Sequence, residues 1–289
     1  MEKAIESSFR AKNLIRRYGI RPRRRLGQNF LIEERTARKL IQLAGINKDD
    51  VVLEIGGGFG ALTRLLASSA KKVYTVEVDK TLHEAAKELL SDLDNVIYIN
   101  KDILDVDLKK VASGNKFKIV GNLPYRISTP IITHLFESED RNLISNIFIT
   151  IQKELAQRLM AKPGHRDRGA ITCFAQYHAQ VSSLATVPKG VFFPQPEVTS
   201  SFIELKPCQS PSVSPQDEAL FFSLIRKTFG HRRKTLLNGL SEDGPFGLSK
   251  CDAREILKAA KIDEKRRPET LSLEEFASLS DQMYLFKSK

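Results

Sequence analysis

Cysteine and tryptophan are scarce in this sequence of 289 residues, which has three cysteines and no tryptophan. The cysteines lie far apart without the spacing of metal ligands; they are Cys173, Cys208 and Cys251. This distribution argues against a disulfide framework or a zinc site and favours a reducing compartment. No apolar run approaches the roughly 20 residues of a membrane-spanning helix, and the polar, basic amino terminus does not resemble a signal peptide. We therefore expect a cytoplasmic protein without a membrane anchor.

Two motifs that would indicate other chemistry are missing as well. The five histidines form no His-x-Glu pattern with a Pro-Cys-x-x-Cys, which excludes zinc-dependent deamination of a base. The Gly-x-x-x-x-Gly-Lys-Ser/Thr loop of P-loop nucleotidases is also absent. His134 and His178 lie in helical patterns, where an ordinary packing role is expected. The sequence thus predicts no metal centre.

Acidic residues are rare in residues 1–25, where nine lysines and arginines stand against two glutamates. This segment contributes much of the net charge of +11 and ends in Arg23, Arg24 and Arg25. A basic arm that has a partner commonly binds a polyanion, because each neutralised phosphate releases counterions. Nucleic acid is therefore one expected partner, and a solvated tail is the alternative interpretation.

Short apolar runs alternate with helical patterns through the first two thirds of the chain. Strands are predicted at 51–55, 73–78, 96–99, 117–120 and 147–151, with two more at 183–187 and 201–205. Helical spacing lies between them, for example at 61–68 and 81–90. The alternation predicts an α/β fold with a mostly parallel sheet and helices on both faces.

A stretch rich in proline and serine at 206–215 indicates a linker, and the pattern beyond it is helical. We therefore expect three parts: a basic arm at 1–25, an α/β domain at 26–207, and a small all-helical domain at 208–289.

Glycines follow the first predicted strand, and acidic residues follow the next two. Gly56 and Gly58 lie between a strand and a helix, where the missing Cβ lets the backbone turn and approach a ligand. Glu77 is placed to bind a ribose diol, and Asp102 to accept from an adenine amino group. Because parallel strands share a carboxyl edge, these residues predict a pocket for an adenosine-bearing cofactor. The glycine loop alone leaves a dehydrogenase open.

The fourth strand is followed by Asn122, Leu123, Pro124 and Tyr125, a combination that suits methyl transfer to an exocyclic amine. The lone pair of such an amine is delocalised into the ring. The Asn122 side-chain oxygen and the Leu123 carbonyl are predicted to accept its hydrogens and direct the lone pair. Pro124 stiffens the loop, and Tyr125 offers a face on which a base can stack. A Pro-Tyr turn packed on the core is the alternative.

From about residue 23 to the end, the sequence resembles the KsgA family of ribosomal RNA adenine dimethyltransferases. The resemblance is carried by "GQNFL", "EIGGGFGALT", "VEVD", "KDIL", "NLPYRISTPI", "QKELAQRL", "FFPQPEVTS" and "HRRKTLLNGL", in that order. It implies a Rossmann-like class I methyltransferase with a mostly parallel seven-stranded sheet and a small all-helical carboxyl-terminal domain.

The resemblance also implies roles for individual residues, with S-adenosylmethionine as the cofactor. Cofactor contacts are implied for Asn29, Leu31, Gly56, Gly58, Glu77, Asp102 and Asn122. Phe192 is implied to stack on the target base opposite Tyr125. Gly57 stands where the family usually has proline, which we expect to loosen the loop, and Glu197 stands where a basic residue is common.

The implied substrate is small-subunit ribosomal RNA in a partly assembled small subunit, with two adjacent adenines of a hairpin loop dimethylated. For RNA binding we expect the arm and the cluster Arg232, Arg233 and Lys234, although that cluster could equally be a solvated helix end. One alternative is a sister enzyme that methylates large-subunit RNA and confers macrolide resistance. Another is an assembly or transcription factor without turnover. A monomer is the default expectation.

Overall fold

The computed structural model describes residues 13–15, 17–19, 28–112, 114–241 and 246–287. Arg23, Arg24 and Arg25 of the basic arm lie outside the described residues. No helix in these ranges combines the length and apolar character needed to cross a membrane.

The chain divides into two compact units. The first contains Met1–Ala156 and Gln180–Pro207, and the second contains Gln157–Ala179 and Cys208–Lys289. The expected division had assigned 157–179 to the α/β domain. These residues group with the helical unit because Cys173 and Tyr177 belong to the same buried apolar cluster as Phe221 and Leu224.

The first unit is built on the predicted seven-stranded, mostly parallel sheet. Its strands are β2 (Val51–Ile55), β3 (Lys72–Val76), β4 (Val96–Ile99), β5 (Phe117–Asn122), β6 (Ile144–Gln152), β7 (Ala179–Val187) and β9 (Ser200–Pro207). They lie in the order β4-β3-β2-β5-β6-β9-β7. The pairs among β2 to β6 are parallel, and β9 runs antiparallel to β6. The α/β fold class is confirmed.

Helices connect these strands and cover the sheet. They are α1 (Glu34–Leu43), α2 (Ala61–Ser69), α3 (Lys80–Leu89), α4 (Leu108–Ala112) and α5 (Ser128–Glu137). A further helix, α6 (Lys153–Leu159), contains the point in the chain at which the first unit ends and the second begins. The central strand β2 shows why both faces are covered, because Val52 and Leu53 point to opposite faces and neither is exposed to solvent.

The strand register aligns the carboxyl ends of the central strands. Ile55 pairs with Val76 on one side and with Gly121 on the other. The residues that follow each strand, or end it, therefore meet at one edge of the sheet. Gly56, Glu77 and Asn122 are brought together in this way.

A second, two-stranded sheet joins two sequence motifs of the first unit. Strand β1 (Phe30–Leu31) pairs antiparallel with β8 (Phe192–Phe193), with Phe30 opposite Phe193 and Leu31 opposite Phe192. Ile32 N also donates to Val191 O at 2.9 Å. The segment after the basic arm is thereby fixed to the proline-rich loop that precedes β9.

The second unit is helical, as expected. It contains α7 (Ala170–His178), α8 (Glu218–Gly230), α9 (Leu236–Leu240), α10 (Lys250–Ala259) and α11 (Leu273–Lys287). Side-chain caps begin several of these helices; Asp217, for example, accepts from Leu220 N at 2.9 Å. Such a cap contributes about 1 kcal/mol.

Candidate active site

A cavity of about 530 Å³ lies at the carboxyl edge of the sheet, within the size range of small-molecule sites. All seven predicted cofactor residues line it together with Pro124: Asn29, Leu31, Gly56, Gly58, Glu77, Asp102 and Asn122. The parallel register therefore brings the expected groups into one cavity.

The glycine loop is held against the end of β3, since Gly56 N donates to Val76 O at 2.9 Å. Gly58 has a φ of +55°, a conformation that residues with a Cβ rarely adopt. A Cβ on Gly58 would also lie 3.1 Å from the ring of Phe30. The loop is thus shaped by backbone geometry and by close contact with β1.

Gly57 is required for a different reason. A Cβ at this position would lie 2.2 Å from Thr75 Oγ1, far inside van der Waals contact. In this chain the Thr75 hydroxyl occupies the space that a side chain at position 57 would need. A proline at position 57 would therefore collide with Thr75 beneath the loop. The sequence alone did not reveal this contact.

Glu77 ties the glycine loop to the start of α3. Its Oε2 accepts from Gly58 N at 3.0 Å, and its Oε1 accepts from Asp79 N at 3.0 Å. Burial raises the pKa of Glu77, while the bonds from these two amides oppose the rise. Asp79 in turn caps α3 by accepting from Thr81 N at 2.9 Å. The Glu77 carboxylate still has room to accept from a further donor.

Glu54 lies beneath the same loop and is almost fully buried, with 1% of its surface exposed. Its Oε2 accepts from the Thr63 hydroxyl at 2.5 Å. Burial raises the pKa of Glu54 to about 7; the hydroxyls of Thr63 and Thr75 oppose the rise, and the charge of Glu77 adds to it. No motif in the sequence marks this carboxyl group as functional.

We predict that Glu54 makes folding stability depend on pH. With a pKa of about 7 in the folded chain and 4.5 as its ordinary value, the folded state binds more protons between these values. Stability should therefore fall as the pH rises from about 4.5 to about 7, by up to about 3 kcal/mol. Glu54→Gln removes this titration. Melting curves between pH 4.5 and 8 should show a smaller decline for Glu54→Gln than for the wild type; equal declines would contradict the assignment.

Asp102 follows β4 and is oriented by its own turn. Its Oδ1 accepts from Leu104 N at 3.1 Å. This leaves Oδ2 available to a donor in the cavity, as the predicted contact with an amino group requires.

Asn122 ends β5, and its orientation is fixed. Its Nδ2 donates to the backbone oxygen of Asn29 at 2.6 Å, across 93 positions of the sequence. A carbonyl can only accept, so the amide nitrogen must face Asn29 and Oδ1 is left as the remaining acceptor. Leu123 N donates to Thr150 O at 3.1 Å, which fixes the next peptide group. Oδ1 is thus the atom of this amide that is left to accept from a group in the cavity, which Asn122 lines.

Comparison with known proteins shows which family the chain belongs to. The model of the family described as ribosomal RNA adenine dimethylase matches residues 19–279. The chain belongs to this family.

Family members with curated names match over nearly the whole chain. A ribosomal RNA small subunit methyltransferase A of Alkaliphilus oremlandii is 41% identical over 96% of this chain and 98% of its own length. A protein of the same name from Geobacillus thermodenitrificans is 43% identical over 98% of both chains.

Two solved structures share the fold. A dimethyladenosine transferase from Plasmodium falciparum superposes with a TM-score of 0.70 and 26% identity, covering 88% of this chain and 95% of its own. The 23S rRNA methyltransferase ErmE superposes with a TM-score of 0.66, covering 89% of this chain and all of its own. Its identity of 23% supports the fold alone.

The aromatic residues that the family resemblance assigned to the target base differ in their surroundings. Tyr125 is half-buried, and its hydroxyl lies 2.5 Å from Ser200 Oγ. Phe192 is only 2% exposed and belongs to a core cluster with Phe202 and Val187. No sequence signal marks Ser200 as the partner of Tyr125, although Ser200 is the last residue of the motif "FFPQPEVTS".

The position of Phe192 departs from the expected stacking role. In β8 it faces the same side as Leu31, which is buried in the same cluster, so its ring is part of the core. Phe193 faces the side of Phe30 and is only half-buried. In this conformation the partly exposed ring of the loop therefore belongs to Phe193.

The three residues of the basic cluster in the second unit differ in their contacts and in their exposure to solvent. Arg232 uses its guanidinium internally, donating to the backbone oxygens of Arg166 and of Arg168, the latter at 2.8 Å. Arg233 is exposed, and Lys234 is half-buried. Arg232 thus holds the loop at 162–168 against the turn at 231–234.

Proposed function

We propose that this family member uses S-adenosylmethionine to dimethylate N6 of two adjacent adenines in a hairpin loop of small-subunit ribosomal RNA. The names of its relatives support this assignment: ribosomal RNA small subunit methyltransferase A and dimethyladenosine transferase. The protein acts as a monomer in the cytoplasm, on a partly assembled small subunit.

The cavity fits S-adenosylmethionine in size and in charge. Three carboxyl groups line it, those of Glu54, Glu77 and Asp102. Glu77 can hold a ribose diol and Asp102 an adenine amino group. When bound, the cofactor supplies an electrophilic methyl group on its sulfonium.

The orientation of the Asn122 amide supports the reaction most directly. Adenine N6 is a poor nucleophile because its lone pair is delocalised into the ring. Asn122 Oδ1 accepts one N6 hydrogen and favours a pyramidal nitrogen whose lone pair points toward the cavity. N6 would gain the methyl carbon as its bond to the sulfonium sulfur breaks, leaving a neutral thioether, and would lose a proton to solvent. Positioning therefore contributes much of the catalysis. The chain needs no general base for this step.

Transfer of labelled methyl groups to different acceptors tests the substrate. The acceptors are unmethylated small subunits, naked small-subunit RNA and large-subunit RNA. Label in small subunits, with little in the naked RNA, is expected. Label in large-subunit RNA would assign the protein to the macrolide-resistance reaction, and cofactor binding without transfer to any acceptor would favour an assembly factor.

RNA binding is assigned to the basic arm, with Arg23, Arg24 and Arg25, and to the basic face of the second unit. In that unit Arg233 and Arg226 are exposed, as are Lys162 and Arg166 of the loop that Arg232 holds. Exposed cations on a preformed surface suit recognition of the RNA backbone and shape.

Arg233 and Arg232 are predicted to respond differently to truncation. Arg233→Ala should weaken RNA binding at low salt and reduce the slope of log Kd against log salt concentration by about 1. Arg232→Ala should instead lower the melting temperature, because the loop at 162–168 loses its contacts. Fluorescence anisotropy with labelled RNA at several salt concentrations measures the first effect. An unchanged salt slope in Arg233→Ala would mean that this side chain does not contact phosphate.

A further inference from the structure

A hydrogen bond joins the loop after β5 to the start of β9, two segments that are expected to flank the target base. The Tyr125 hydroxyl and Ser200 Oγ lie 2.5 Å apart, although 75 positions separate them in the sequence. Ser200 is completely buried. The bond therefore anchors the far end of a half-buried ring to a rigid, solvent-free part of the molecule.

The sheet explains why this contact is possible. Tyr125 follows β5, whereas Ser200 begins β9, and β6 lies between these two strands. With adjacent strands about 4.8 Å apart, β9 is about 10 Å from β5. A long side chain ending in a hydroxyl can reach across the end of β6, which a short residue at position 125 could not do.

The backbone of Ser200 is itself fixed on both sides. Ser200 pairs with Gln152 of β6, and Lys153 N donates to Thr199 O at 3.0 Å. At the other end, Ser128 Oγ donates to Pro124 O at 3.0 Å, and the proline ring restricts the backbone before Tyr125. The remaining freedom of the tyrosine lies in its two side-chain torsions.

We propose that Ser200 is a positioning residue that fixes the direction of the Tyr125 side chain, and so the place of its ring, for stacking with the target adenine. This inference rests on the proposed function, because Tyr125 must contact the base. With both the backbone and the hydroxyl held, the ring is preorganised before RNA arrives. The Tyr125 ring then loses less conformational freedom when the base binds. The stacked base is held with its N6 within reach of Asn122 Oδ1.

The bond to Ser200 also provides a partner for the phenol group of Tyr125, which is partly buried. The pKa of the Tyr125 phenol is raised by burial, and the bond with Ser200 opposes the rise. Without Ser200, the phenol would be left in an environment where an unpaired polar group is unfavourable. The ring would then turn toward solvent, and its face would no longer be presented at one angle.

A double-mutant cycle tests this inference with Ser200→Ala, Tyr125→Phe and the combined variant. Each single change should lower kcat for methyl transfer about tenfold, the loss of roughly one hydrogen bond, with the KM for S-adenosylmethionine unchanged. The combined variant should lose no more than either single variant, because both remove the same bond. Ser200→Thr, which keeps the hydroxyl, should retain most of the activity.

Ser201→Ala is the matched control, since Ser201 is the next residue in the strand, is also buried, and points to the opposite face. A hairpin RNA with 2-aminopurine at the target position reports stacking on the ring by quenched fluorescence. Ser200→Ala should weaken the quenching, and Ser201→Ala should not.

Additive losses in the cycle, or normal kcat and normal quenching in Ser200→Ala, would overturn the positioning role. Equal losses of kcat in Ser200→Ala and Ser201→Ala, with matching falls in melting temperature, would also overturn it in favour of a structural role. A wild-type protein that binds RNA and cofactor but methylates no adenine would overturn the proposed function itself.

Discussion

Replacing Asn122 with alanine is expected to lower the rate of methyl transfer by about 10²–10³-fold, the typical effect of removing one preorganised polar group from a transition state. The Asn122 side chain holds its oxygen in place through the 2.6 Å bond to Asn29 O. Alanine removes the acceptor for the N6 hydrogen as well as this bond. Cofactor affinity should change less than the rate, because several other residues line the cofactor cavity.

The measurement is single-turnover methyl transfer to small subunits, with calorimetric titration of the cofactor alongside. Asn146→Ala is the matched control: it also truncates a half-buried amide of the first unit, which donates to Glu204 Oε1 at 2.7 Å and lies outside the cavity lining. The control should retain near-normal transfer. Near-normal turnover in Asn122→Ala would contradict the mechanism.

Gly57→Ala is expected to damage the cofactor loop, and Thr75→Ala to repair it. The added Cβ would lie 2.2 Å from Thr75 Oγ1, so the loop or the strand beneath it must move. Overpacking of this kind costs about 1–3 kcal/mol, and we expect affinity for S-adenosylmethionine to fall about tenfold or more. In the double variant the hydroxyl is gone and the nearest remaining Thr75 atom is 3.6 Å away. Most of the affinity should return.

Calorimetric titration and melting temperature measure this pair of effects. Gly190→Ala is the control, because a Cβ at Gly190 meets no atom within 4 Å and its φ is not in the left-handed region. It should bind the cofactor like the wild type. Unchanged affinity in Gly57→Ala, or no recovery in the double variant, would show that Thr75 does not determine the residue at position 57.

The sheet and one edge of the site could be predicted from the sequence because their signals are local. The apolar runs fix the strands, and parallel strands necessarily bring their carboxyl ends together. The residues that follow β2, β3 and β4 were therefore predicted to meet, and the structure brings Gly56, Glu77 and Asp102 to one cavity.

The contacts that orient these groups could not be predicted, because they join distant parts of the chain. The Asn122 amide is set by a backbone oxygen 93 positions away, and the Tyr125 hydroxyl by a serine 75 positions away. No periodicity marks either partner. Likewise, a two-residue strand has too short a pattern to reveal which of Phe192 and Phe193 faces the core.

The residues 157–179 of the second unit could not be assigned from the sequence for a similar reason. The helix α7 precedes β7 in the chain, yet its apolar side chains Cys173 and Tyr177 pack in the cluster of α8. Hydrophobic spacing reveals that a helix has a buried face but not which core it joins. The bonds from Arg232 to backbone oxygens could not be predicted either. The sequence pattern around an arginine is the same whether its guanidinium binds carbonyl oxygens or faces solvent.

Identification of the methylated nucleoside tests the central claim most directly. Unmethylated small subunits are incubated with the protein and methyl-labelled S-adenosylmethionine, and the RNA is digested and analysed by mass spectrometry. N6,N6-dimethyladenosine is expected at two adjacent positions of one hairpin loop, forming about 10²–10³-fold more slowly when Asn122→Ala replaces the wild type. Methylation at a ring nitrogen or a ribose hydroxyl, or dimethyladenosine formed equally well by Asn122→Ala, would contradict it.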